Sequence, residues 1–160
     1  MTNLLVLFIF MLTIFVSYVG YVWNKFGVLP SISESYYRLP DNLKKMFTFF
    51  CWGFSFPAII LGTLLTDNLL MFVAGSGIAF VGAAAAFKER MSDKVHTIGA
   101  VIGVVLSQLS ILLDFRMYIV NLIFVALSLI LIIGRVKNKV WWIELIAFTA
   151  ICVVLGSTLY

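Results

Sequence analysis

Residues 4–23 read LLVLFIFMLTIFVSYVGYVW, a run without a charged side chain that closes on Tyr18, Tyr21 and Trp23. Crossing about 30 Å of hydrocarbon at 1.5 Å per residue takes about 20 apolar residues, so the run predicts a helix that spans a bilayer. It is too long for the apolar core of a signal peptide. No Lys or Arg precedes it and no small-residue cleavage site follows it, so it is expected to stay in place as a helix.

Working outward, five more weakly charged runs fall at 46–65, 69–87, 95–113, 117–134 and 140–159. The 160-residue chain is 63% hydrophobic and 11% charged, with a mean hydropathy of +1.13, which excludes a water-soluble globule of this size. The expectation is an all-α, polytopic membrane helix bundle of about six transmembrane helices, a single transmembrane domain over residues 1–160. One connection, 24–45, is long; the others are short, so consecutive helices are expected to pair as antiparallel hairpins.

Orientation follows from the basic residues. The first loop holds Lys25, Arg38, Lys44 and Lys45, the third Lys88, Arg90 and Lys94, and the fifth Arg135, Lys137 and Lys139; only Arg116 lies on the other side. Ten of eleven cations on one face predict that the face is cytoplasmic and that both termini are non-cytoplasmic. The net charge of +4 is accounted for by topology and anionic headgroups, so no nucleic-acid partner is implied. Cys51 and Cys152 enter their helices at depths differing by about 10 Å, beyond disulfide reach.

Three features stand out within this frame. The long loop carries Leu29 to Asp41 between Pro30 and Pro40, with serines able to cap a short turn of interfacial helix. The third run is rich in small residues, among them Gly75, Ala79 and Gly82, which let helix backbones approach closely in lipid. In the fourth, His96, Gly99, Gly103, Ser107, Ser110 and Asp114 recur at spacings of three and four and share one face, expected to turn inward with Gly99 and Gly103 against the small residues of the third run. Pro57 is expected to kink the second helix.

Ionisable groups in spans point to function because hydrocarbon makes them costly. Glu144, about five residues into the last run, is either a ligand-binding or proton-carrying carboxyl or a side chain that snorkels toward Lys137 and Lys139, which its shallow position favours. His96 either orients a headgroup or caps the bundle. One His and two distant cysteines do not supply a zinc set, and no Gly-x-Ser-x-Gly elbow is present, so no metal or cofactor is expected and catalysis is disfavoured.

The Leu-Pro-Ser-Ile-Ser-Glu-Ser-Tyr-Tyr stretch at Leu29 to Tyr37 resembles the Pro-Ser-Ile-Ser and Tyr-Tyr loop that follows the first helix in a group of small bacterial multi-pass membrane proteins. A small-residue helix leading through a short loop to a His, here Ala83 to Ala100, is similar to that group and more distantly to the DRAM-like six-pass family. Arg38 stands where a His often follows the tyrosines, and Ala86-Phe87-Lys88 where that group has Phe-Pro-Thr. The resemblance implies topology, a place in a bacterial inner (plasma) membrane, and no defined activity.

The reading is a non-enzymatic membrane protein whose cytoplasm-facing vestibule binds a lipid headgroup or a membrane-protein partner. Its candidate ligand residues are Ser31, Ser33, Glu34, Tyr36, Tyr37, Arg38, His96 and Glu144, with Gly75, Ala79, Gly82, Gly99, Gly103 and Ser107 in helix packing. The alternatives are a small transporter or channel subunit that uses the polar stripe of the fourth helix, and a membrane-embedded lipid hydrolase. A homo-oligomer that encloses a pore fits the second.

Overall fold

Nothing in residues 2–26 interrupts a helix, and α1 (Thr2–Phe26) runs their full length. It ends at Gly27, whose φ of +72° enters the left-handed region open to glycine while its N–H still bonds Trp23 O at 2.8 Å. The computed structural model describes residues 2–66, 69–84, 91–114 and 118–159, and of 91–96 the backbone alone. After α1 come the short α2 (Ser35–Arg38), a 3₁₀ turn at Asp41–Leu43, α3 (Lys45–Thr66), α4 (Leu70–Ala84), α5 (Met91–Leu112), α6 (Tyr118–Ile133) and α7 (Lys139–Ser157). No strand occurs among the described residues.

Among the described residues, three stretches are long and apolar enough to cross a membrane: α1, Asp41–Thr66 and α7. Leu70–Ala84, Thr97–Leu112 and Tyr118–Ile133 are shorter apolar helices. Large side chains such as Val6, Phe49, Leu64, Ile119, Ile130 and Ile133 stand exposed around the bundle. Water does not tolerate apolar surface on that scale, whereas acyl chains do. The chain is built as a membrane protein.

The bundle has two packing styles. Between α1, α3 and α7 the seam is aromatic: Phe54 meets Phe148 edge-on at 4.7 Å between ring centroids, Phe15 lies 5.9 Å from Phe54, and Tyr18 stacks on Phe50 at 4.4 Å. Between α4 and α5 it is backbone on backbone. A Cβ added at Gly77 would sit 2.8 Å from Gly99 O and 3.0 Å from Gly103 N, and one at Gly99 would sit 2.8 Å from Gly77 O.

The face that Gly99 and Gly103 meet is therefore Ala74, Gly77, Ile78 and Val81. Gly75, Ala79 and Gly82 turn the other way, toward α3, where Trp52 Nε1 donates to Ala79 O at 3.1 Å and Thr48 Oγ1 to Gly82 O at 3.0 Å. Residues 85–87 of the third expected run lie outside the described residues. The α3 helix continues through Pro57, which is buried.

Candidate functional site

The segment 27–44 is held from within by its own serines and prolines. Ser31 Oγ accepts the N–H of Glu34 at 3.1 Å and pairs with Ser33 Oγ at 2.9 Å, which starts α2. Leu39 N–H closes that turn on Ser35 O, and Pro40, which has no N–H to continue it, accepts Leu43 N–H at 2.8 Å to begin the 3₁₀ turn. Leu29, Ile32 and Leu39 drop into the core.

Three bonds stitch the same segment to the start of α7. Asn138 Nδ2 donates to Val28 O at 2.7 Å, Trp141 N–H to Pro30 O at 3.2 Å, and Ile32 N–H to Glu144 Oε2 at 2.6 Å. The first N–H groups of a helix have no partner within it, so the loop carbonyl satisfies a donor that would otherwise be orphaned at this end. Asn138 sits in the left-handed region at φ 56°, a conformation asparagine tolerates better than most residues.

Glu144 is thus drawn inward. It is 9% exposed and bonded to the loop backbone rather than snorkelling to Lys137 and Lys139, which are exposed. Behind Ile32 the polar contacts continue: Ser35 Oγ donates to Ile32 O, so Tyr18, 2.6 Å away, is the donor to Ser35. Ser35 is fully buried. A line of hydrogen bonds runs from α1 through the loop to α7.

Beneath Ile32 and Ser33 lies a cleft walled by Phe47, Phe50 and Cys51 of α3, Ile78 and Val81 of α4, Ala100, Gly103, Val104 and Ser107 of α5, and Glu144, Ala147, Phe148 and Ile151 of α7. The space between these walls, open solvent at the mouth included, is about 480 Å³. Its origin is steric. Ala100, Gly103, Ser107 and Ala147 are too small to fill the space that the phenylalanines opposite leave open. The wall is carbon almost throughout, with the Glu144 carboxyl at the loop end and Ser107 deeper in.

Of the residues singled out in the sequence, Ser33, Glu144, Gly103 and Ser107 meet at this cleft. Ser31 caps α2. Glu34 and Arg38 face each other at 3.6 Å, and Tyr36 lies between Tyr37 and Phe47 with the Lys44 ammonium 5.5 Å above its ring. Tyr37 is exposed. The side chain of His96 lies outside the described residues.

Deeper along α5 the polar stripe is buried. Ser110 is fully enclosed, Asp114 nearly so, Gln108 Nε2 reaches Ala147 O at 3.4 Å, and Asn121 of α6 donates to Gln108 O at 2.8 Å. Ser35, Tyr18, Asn138 and Trp141 were not among the sequence candidates. For Glu144 a signal existed: Trp141, Glu144, Ala147, Ile151 and Leu155 recur at three and four, so the carboxyl shares the buried face of α7.

Comparison with protein-family models, curated proteins and solved structures finds no match. The resemblance of the Leu29 to Tyr37 stretch therefore rests on those residues alone.

Proposed function

We propose that the chain is a six-span inner-membrane protein with both termini outside, and that it binds a membrane amphiphile in the cleft beneath the 27–44 segment without chemically transforming it. Ten of eleven cations on one face support the orientation, and the short apolar helices α4 to α6 supply the additional spans. The observation that carries the binding reading is a carboxyl, 9% exposed, at the head of an otherwise apolar cleft, under a loop bonded to it. Ionisable groups kept within a span mark sites of function. An apolar pocket with few oriented polar groups is the usual form of a small-molecule site.

The test is what the purified protein carries. After extraction in mild detergent, mass spectrometry of bound lipids should find one amphiphile enriched over the membrane extract. Val104→Phe and Ala147→Phe, which fill the cleft from opposite walls, should each lose it, while Val105→Phe on the exposed face of α5 keeps it. Equal retention by all these proteins, or none by the wild type, overturns the reading.

Transport is the second reading, favoured by the buried polar residues Ser107, Ser110, Asn121 and Asp114, with the half-buried Gln108, that continue from the cleft along α5 and α6. Liposome flux that falls in Asn121→Leu would support it; flux equal to protein-free vesicles would remove it.

A further inference from the structure

The cleft's chemistry narrows what enters it. We infer that its ligand is an amphiphile with an amino head, seated with the ammonium on Glu144 and the apolar part between α5 and α7. The inference rests on the binding reading above.

The first observation is charge. Among the described residues that wall the cleft there is no Lys, Arg or His, and Glu144 is the one carboxyl. The two cations of the 27–44 segment are engaged elsewhere: Arg38 with Glu34, and Lys44 with Asp41 at 2.7 Å. Among the described residues, a phosphate or sulfate head would meet a carboxyl and no counter-charge, at a cost in an apolar surround that a few hydrogen bonds do not offset.

The second is acceptor capacity. A carboxyl offers about four acceptor sites, and the loop backbone takes one of them through Ile32 N–H. Ser33, next to Ile32, also lines the cleft, and its hydroxyl pairs with that of Ser31 at 2.9 Å. An ammonium brings three donors and a positive charge to this spot; a hydroxyl brings one donor and no charge.

The intact protein in lipid nanodiscs is photolabelled with dodecylamine bearing a diazirine on its chain, and the labelled peptide is mapped; dodecylamine, dodecanol and dodecyl phosphate then compete. The label should map to the cleft-facing residues of α5 or α7 and be absent there in Val104→Phe. Dodecylamine should compete roughly tenfold better than dodecanol, with dodecyl phosphate weakest, and Glu144→Gln, which keeps an acceptor for Ile32 N–H, should remove the amine's advantage. Equal competition by all three, or preference for the phosphate, overturns the amine head and leaves the cleft standing. Labelling that avoids the cleft, or persists there in Val104→Phe, overturns the cleft itself. Should Glu144→Gln fail to fold, the wild-type competition order alone decides.

Discussion

Gly77→Ala adds one methyl where α4 and α5 already touch through their backbones. The new Cβ would stand 2.8 Å from Gly99 O and 3.0 Å from Gly103 N, whereas ordinary contact begins at 3.4 Å. The shortfall is 3.4 − 2.8 = 0.6 Å, and neither opposing atom can rotate away, so the helices must part. A radial gap of about 0.5–1 Å forfeits a quarter to a half of each dispersion contact along the seam, and overpacking of this kind costs about 1–3 kcal/mol. Replacing glycine by alanine also favours helix, which masks part of the loss. Gly20→Ala in α1 is the control, because nothing lies within 4 Å of its added Cβ. It gains the same propensity with no clash. In reversible unfolding in mixed micelles, Gly77→Ala should be less stable than Gly20→Ala by about 1–3 kcal/mol. Equal stability of the two would refute the close backbone approach.

Tyr18→Phe should cost about 0.5–1.5 kcal/mol in the same assay and Ser35→Ala more, because it also removes the bond to Ile32 O, and the double variant should cost less than their sum, since both remove the Tyr18–Ser35 bond; strict additivity would mean that this bond does not form. In a background with Cys51 and Cys152 replaced, Lys45→Cys and Lys137→Cys should react with an impermeant maleimide only from the cytoplasm and Thr2→Cys only from outside, and the reverse pattern in whole cells would invert the proposed orientation.

The helices were legible because hydropathy over about twenty residues is a coarse, additive signal. The expected runs coincide with the long helices to within a few residues, although α1 continues to Phe26 since Asn24 and Lys25 remain helical until Gly27 stops them. Which small residues meet which neighbour was not legible. Gly75 and Gly77 are two positions apart and so lie on opposite sides of α4, and a one-dimensional pattern does not say which side holds α5. Glu144 was harder still. Its depth alone favoured snorkelling, and the inward turn depends on a loop amide 112 positions earlier in the chain. Nor does a sequence display a cleft, which arises here where Ala100, Gly103, Ser107 and Ala147 from two helices happen to face aromatic rings.

The proposed binding reading needs the segment 27–44 to be a lid bonded to α7. Hydrogen exchange of residues 28–39 and of Trp141 in a lipid nanodisc reads that directly. The Ile32 and Trp141 amides should exchange about a hundredfold or more slowly than in a free peptide, an opening free energy of about 2.7 kcal/mol, and Glu144→Leu should release Ile32. Free-peptide exchange throughout the segment, indifferent to Glu144→Leu, would contradict it.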